Sequence, residues 1–556
     1  MFAGIRRSEL PALLAGTATV ALLAVMLYYP VASVFARAVL VEGRPTLEPL
    51  RTIVADPFYW ELFGFTAYQA ALSTLASLTL GLPGAYVLAR YEFPGRRTIR
   101  SLTLVPFVLP SIMVAVGFAA MFGAGGPLNR ALAAVGLPSV ELMFTLEIIV
   151  LAHAFYNAPL VVRVVAAAWE GVDTRTVETA RSLGASPGRA FRDVVVPQLL
   201  PAVLTSALLV FVFTFMSFPI VLALGGLELA TVEVWLYDRI TSLRLGEAAV
   251  LAVLEAAITL ALTYVYLRYE TGQAAARGAP DRVRKRLFGT VDAERIAIYA
   301  YAAVVAVVFL GPIVSMLLAS LTDGGGFTLR YYELLFARRE AVVGTRPDLA
   351  IRNSLLFAVG TLALAVPMGV VVSLFTARDT IGARLVGTLA MLPFAVSGIV
   401  VGLGLLQTVV FGVELLGYRL RVTGAVAIVA AHAVGAYPFV VRTVAPALSS
   451  MDDRLVESAR ALGATRTRAL VDVELPLVTP AVAAGAAFAF AISVGEFNAT
   501  VVLVEGGDAY TMPVAVERYL ADRTLGPATA MGSVLLVVTS VSFVAIERLG
   551  AYGGIE

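Results

Sequence analysis

The sequence reads as an all-α polytopic membrane protein with about twelve transmembrane helices, built as two parallel six-helix repeats. Three observations carry that reading. The 556 residues are 59% hydrophobic and only 14% charged, with a mean hydropathy of +0.87, far outside the range of an ordinary soluble domain. The apolar residues fall in unbroken runs of about 20, the length a helix needs to cross the hydrocarbon core. And the chain repeats itself, without a gap, 279 residues on: Val177-Glu178-Thr179-Ala180-Arg181-Ser182-Leu183-Gly184-Ala185 returns as Val456-Glu457-Ser458-Ala459-Arg460-Ala461-Leu462-Gly463-Ala464.

The runs of the first half span approximately 13–38, 63–89, 101–123, 144–162, 200–224 and 247–267. Those of the second half span 296–320, 353–376, 385–411, 424–441, 478–503 and 528–546. A membrane β-barrel would show short alternating segments instead. The resulting organisation is a first half at 1–268, a polar arginine-rich linker at 269–295 and a second half at 296–556. An even number of spans per half gives both copies the same orientation, so the chain is a covalent pseudo-dimer about an axis along the membrane normal.

The first run ends in Phe35-Ala36-Arg37-Ala38, small residues that resemble a signal-cleavage site. It is too long for a signal sequence, and its counterpart around Leu310-Gly311-Pro312 lies mid-chain, with Pro30 and Pro312 in matching places. The second and third runs are joined by the arginine-rich turn Arg90 to Arg97, matched by Arg378-Asp379 and Arg384. The third opens with Val105-Pro106-Phe107 and the ninth with Leu392-Pro393-Phe394, each reaching a glycine, Gly117 or Gly404, at the same spacing.

The fourth and tenth runs carry the chain's two histidines, His153 and His432, again 279 residues apart. A histidine in a span is more often a satisfied interhelical hydrogen bond than a proton relay, which needs a chain of ionisable partners. The fifth run ends Met216-Ser217-Phe218-Pro219 and the eleventh Ser493-Val494-Gly495-Glu496-Phe497-Asn498. Ionisable groups inside spans are functional candidates, so Glu496, toward the outer leaflet, reads either as a pathway residue favouring a cation or as a hydrogen-bond partner of a neighbouring helix; Ser217 is the other pathway candidate. Glu255 reads as structural, because Leu535 holds its place in the other half. Trp235 and Tyr237 could favour a cationic ring, or anchor at the interface.

Positive residues mark the cytoplasmic ends of membrane helices. Most of the 41 Lys and Arg fall on the side that holds the N-terminus, so both termini and both repeated loops are expected in the cytoplasm. Of the 41, only Lys285 is lysine, and Arg286 follows it; a Gly-Lys-Ser/Thr phosphate loop is therefore absent. No cysteine is present, which rules out disulfides and thiolate metal sites. No nucleophile with a base is visible, so an intramembrane enzyme is disfavoured, and no basic, aromatic-interleaved region points to nucleic acid.

Within the repeated loops, 173–203 and 452–482, Val177, Ala180 and Leu183 recur at helical spacing, as do Val456, Ala459 and Leu462. Asp173 and Asp452 stand where N-caps belong. Gly184 and Gly463 permit a sharp turn into a second short helix, and prolines 197, 201, 476 and 480 mark the return into the membrane. The pattern is Glu-x-Ala, then Gly four residues on, then Val-Pro or Leu-Pro ending thirteen beyond. It resembles the "EAA" coupling loop of permeases in binding-protein-dependent ABC importers, with the middle alanine replaced by Thr179 and Ser458.

The resemblance implies a type I ABC importer permease without cofactor or catalytic residues of its own. ATP would be bound by two copies of a cytoplasmic ABC ATPase, one docked on Glu178, Ala180 and Gly184, the other on Glu457, Ala459 and Gly463. An extracytoplasmic solute-binding protein would deliver the cargo. Importers with both permease halves fused resemble two subfamilies, for thiamine and for ferric iron. Met216 to Gly226, followed by Ala230-Thr231-Val232-Glu233-Val234, is closer to the thiamine permeases, and Gly495-Glu496-Phe497-Asn498 is also similar to iron and anion permeases. An ion-coupled secondary transporter is the rival; those commonly show inverted repeats and buried charges at the midplane.

Overall fold

A computed structural model describes residues 10–41, 43–103, 109–270, 284–289, 292–337, 346–377, 381–415, 418–504 and 506–552. Among these, eleven helices are long and apolar enough to cross a membrane, and Gly398–Val410 is a shorter apolar one. The few strands are two- or three-residue pairs in the connections. Val105-Pro106-Phe107, Arg378-Asp379, most of the linker and both extreme termini lie outside the described residues.

Several spans differ from their sequence outlines, and the breaks within the third and ninth fall beside prolines. The run expected at 101–123 is Arg96–Leu102, then Ser111–Phe122 beginning just after Pro110. The run expected at 385–411 is divided into Ile381–Ala390, a 3-10 turn at Leu392–Ala395 and a helix from Gly398 that closes in a π turn. Proline cannot donate to the helical ladder and restricts the residue before it. The fifth and eleventh spans begin earlier than expected, at Pro187 and Arg466, and end at Phe215 and Gly495. Prolines 197 and 476 therefore lie inside a continuous rod, each preceded by a π turn, Phe191–Val195 or Leu470–Glu474. A π turn widens the ladder locally, and in both copies it sits immediately N-terminal to the residue-proline pair.

Small and polar residues set how the spans pack. Helix Pro57–Arg90 starts on Asp56, whose carboxylate accepts from the Phe58 amide at 3.0 Å. It presents a buried stripe of Thr66, Gln69, Ser73 and Ser77 at helical spacing. Near its end Gly81 lies so close to Leu146–Glu170 that an added Cβ would sit 2.7 Å from the Val161 Cβ. The second half repeats this with Gly369 against Val440, at 2.5 Å. Such close approach is how membrane helices gain dispersion energy where lipid removes the hydrophobic driving force.

The two halves are interlocked. The first helix of each half seats on the other: an added Cβ at Gly404 would lie 2.7 Å from the Pro30 carbonyl oxygen, and one at Gly117 3.0 Å from that of Pro312. Tyr28 donates to the Leu389 carbonyl at 3.2 Å, Tyr301 to that of Leu80 at 2.7 Å, and Phe309 stacks on Phe155. One apolar core accordingly draws buried residues from both halves.

On the face that bears the repeated loops, a linker strand, Lys285–Arg286, pairs in parallel with Tyr91–Glu92. Glu170, ending the fourth span, gathers Arg96 at 2.7 Å and Arg100 and Arg284 at 3.3 Å. Burial, together with the Glu294 carboxylate, pushes the Tyr91 phenol up to about 12.

Candidate functional site: two exposed loops and a closed seam

Each repeated loop is a short helix, a tight turn and the start of a long span. The helices are Thr174–Ser182 and Asp453–Ala461, equivalent residue for residue. Asp173 accepts from the Arg175 amide at 2.9 Å and Asp452 from the Arg454 amide at 3.0 Å, the expected N-caps. Each such cap is worth about 1 kcal/mol. Gly184 and Gly463 take φ of +89° and +91°, the left-handed region in which glycine ends a helix without a Cβ penalty. Ser186 and Thr465 then cap the next turn through the amides of Arg189 and Arg468, both at 3.3 Å.

Neither loop helix buries a single residue. Glu178 and Glu457 are exposed, as are Gly184 and Gly463; Ala180 and Ala459 are half-buried beside Val177 and Val456. The helical spacing had grouped Leu183 and Leu462 with those apolar residues. Instead they project outward, 84% and 90% exposed. The left-handed turn that follows them swings the chain away, leaving each leucine at the tip.

Beyond the loops the fifth and eleventh spans run across the membrane and end against each other. Phe218 and Phe497, equivalent across the 279-residue offset, stack with ring centroids 5.5 Å apart and planes at 20°. Equivalent residues that touch must lie at the pseudo-two-fold axis, so this fully buried pair closes the seam between the halves there.

The histidines flank that closure. His153 bonds the Ser73 hydroxyl at 3.0 Å through Nδ1 and the Ser217 hydroxyl at 2.8 Å through Nε2. His432 bonds Ser493 at 2.8 Å through Nδ1 and Thr500 at 2.8 Å through Nε2, with the Glu496 carboxylate 3.3 Å from Nε2. Both rings are satisfied interhelical partners, as the sequence suggested. His432, unlike His153, has an ionisable neighbour, the Glu496 carboxylate. A signal was available: Ser217 and Glu496 share the offset of the two histidines, and therefore the same slot.

Glu496 also accepts from the Ala499 and Thr500 amides at 2.8 and 3.0 Å, capping the short helix Asn498–Leu503. Its carboxylate lines a cavity of about 170 Å³ between the halves, with Pro110, Ser111 and Tyr156 on one wall and Phe497 and Asn498 on the other. Ser217, by contrast, is half-buried in its bond to His153 and does not line this cavity. Trp235 already carries the Arg239 guanidinium 4.3 Å over its ring, and Tyr237 packs on Phe218. A larger apolar groove, about 730 Å³, lies on the flank between Pro57–Arg90, Leu146–Glu170 and Ala293–Ser320, away from this axis.

Two parallel bundles, two exposed capped loops and a closed axial seam define a duplicated membrane permease. The family "Binding-protein-dependent transport system inner membrane component" matches residues 79–270 and again 361–551. The chain belongs to that family and is a fused two-half permease of ABC importer type. It is similar to the thiamine transport system permease protein ThiP of Escherichia coli (strain K12), 26% identical over 511 residues that cover 89% of this chain and 90% of that one. ThiP of Brucella abortus (strain 2308) is likewise 26% identical, over 503 residues and 89% of each chain. A putative 2-aminoethylphosphonate permease, PhnU of Salmonella typhi, is 28% identical over 46% of this chain and 91% of its own. A bacterial importer of the polysaccharide alginate is a structural neighbour, with a TM-score of 0.40 at 15% identity, over 48% of this chain and 94% of its own.

Proposed function

We propose that the chain forms the translocation pathway of an ATP-driven thiamine importer. Two ATPase copies work it from the loop face, and a solute-binding protein serves the opposite face. Glu178, Ala180 and Gly184 meet one ATPase copy, and Glu457, Ala459 and Gly463 the other. The carrying observation is the pair of loops: both are pre-formed by caps and a left-handed turn, both bury nothing, and both hold out a leucine. Apolar tips on rigid, polar-flanked helices suit grooves on a partner. Duplicated loops match a motor that acts in two copies. ATP hydrolysis belongs to that partner on this reading, in keeping with a sequence in which no Gly-Lys-Ser/Thr phosphate loop occurs.

Thiamine as cargo rests on the two ThiP relatives, each similar over nearly nine-tenths of the chain. Both termini and both loops then face the cytoplasm, in keeping with the arginine bias. On this reading the path runs along the axis, where Phe218 stacks on Phe497 and the Glu496 cavity adjoins them.

The test is uptake of radiolabelled thiamine into proteoliposomes that hold this permease, its ATPase and the loaded binding protein. Accumulation that requires ATP supports the reading. Accumulation driven by an ion gradient with a hydrolysis-dead ATPase would overturn it, and ATP-dependent uptake of ferric ion but not thiamine would replace the cargo.

A further inference from the structure

We propose that Glu233 and Glu255 form a counter-charge site for an organic cation in transit, uncovered when Ser397 of the second half draws away from them. The inference rests on the importer reading above and adds the side chains that would meet the cargo's positive charge.

Glu233 lies on the short helix Val232–Thr241 and Glu255 on the span Leu245–Glu270. They are 0% and 2% exposed, and none of their four carboxyl oxygens makes a well-formed hydrogen bond; their polar neighbours are one another and, for Glu233, the Ser397 hydroxyl. The two carboxyls face one another, and the Ser397 hydroxyl faces Glu233. No ion pair to either is formed among the described residues. Two buried carboxyls without well-formed hydrogen bonds oppose folding and persist where a function retains them.

The scaffold does not require them. Val232 and Met512 are equivalent, since their amides are held by Thr66 and Ser354 at corresponding places. On that register Glu233 matches Pro513 and Glu255 matches Leu535. The second half builds the same helices with apolar residues at both points, so the acid pair is an addition to one side only. A cargo without two-fold symmetry, passing through a two-fold channel, calls for such a one-sided feature.

The pair also borders the path. Val232–Thr241 packs on Gly398–Leu405 and Asn498–Leu503, both from the second half. Gly398, next to Ser397, lies so close to the Glu496 cavity that an added Cβ would be 2.7 Å from the Asn498 Cβ and 3.5 Å from Glu496 Oε1. One backbone segment, Ser397-Gly398, thus has the acid pair on one side and the cavity on the other. Parting the halves at the Phe218–Phe497 stack would move that segment and join the two.

Carboxyls select a cation, and the Tyr156 and Phe497 rings that line the Glu496 cavity, across Ser397-Gly398 from the pair, favour a delocalised organic one. A metal ion fits poorly, since no group of three or more acidic or histidine ligands occurs among the described residues.

The test uses the complete transporter in proteoliposomes, with thiamine as probe. Glu233→Gln with Glu255→Gln should lower thiamine uptake at least tenfold, while ATPase stimulation by the loaded binding protein stays within twofold of the parent. Wild-type uptake in the double variant would overturn the proposal. Carbodiimide labelling of Glu233 and Glu255 in the unmutated complex, mapped by mass spectrometry, gives an answer even if that variant fails to assemble. Labelling should rise when nucleotide opens the gate and fall when thiamine is added; labelling indifferent to both overturns the site. If the parent carries no thiamine, the cargo reading fails by itself. N-methylthiazolium then replaces thiamine in the labelling experiment, and protection or its absence decides the cation site separately.

Discussion

Leu183→Ala and Leu462→Ala offer the sharpest probe of the docking assignment, because both side chains are solvent-facing in the free chain. At 84% and 90% exposure they contribute almost nothing to the permease's own stability. Each truncation removes three carbons that a partner groove would bury, worth about 0.8 kcal/mol apiece. That gives about 2.4 kcal/mol per loop, or roughly 50-fold in affinity, since 1.4 kcal/mol is tenfold. The two loop helices do not pack on each other, so the two losses should be close to additive, about 5 kcal/mol together. Binding of purified ATPase to the permease in nanodiscs, followed by interferometry, reads the change, with thermal unfolding of the free permease as the control. ATPase affinity within twofold of the parent for the double variant, with unfolding unchanged, would refute the reasoning.

Gly184→Val and Gly463→Val should weaken ATPase binding through the backbone alone, because nothing lies within 4 Å of an added Cβ at either position; the left-handed φ costs a β-branched residue about 1–2 kcal/mol. Gly→Asn at the same sites should restore most of the binding in the same assay. Glu170→Ala removes the carboxylate from a cluster of three arginines and should cost about 3 kcal/mol, read as a lowered unfolding midpoint and faster amide exchange at 284–289. Phe218→Ala with Phe497→Ala removes the axial stack and should raise ATP-independent leak of thiamine into proteoliposomes; a leak equal to the parent's would place the closure elsewhere. Gly404→Val should destabilise by about 1–3 kcal/mol and loosen the first helix, seen as faster proteolysis near residues 40–46, because Pro30 of the opposite half already fills the space.

Much of the architecture was legible in the chain itself. Span count, parallel duplication, the loop caps at Asp173 and Asp452 and the turns at Gly184 and Gly463 follow from local rules: hydrophobic run length, capping chemistry and glycine's freedom at positive φ. The 279-residue repeat alone pairs His153 with His432. Breaks at Pro110 and around Pro393, and the π turns before prolines 197 and 476, were missed. Proline announces a disturbance, but the packing around it decides whether the helix ends, kinks or widens.

What tertiary structure alone decided is which residues meet across the chain. By sequence Glu255 reads as structural and Glu233 only as part of the thiamine-permease-like segment; only the approach of two helices of the first half and Ser397 of the second brings those carboxyls face to face. Glu496 reached His432, and Phe218 reached Phe497, for the same reason. Segments many residues apart become neighbours when spans pack, and periodicity within one helix holds no information about the side chain standing opposite. Run length and turn chemistry are properties of the local chain and can be read along it. Contacts at the axis depend on how two copies close on each other, which the fold has to settle.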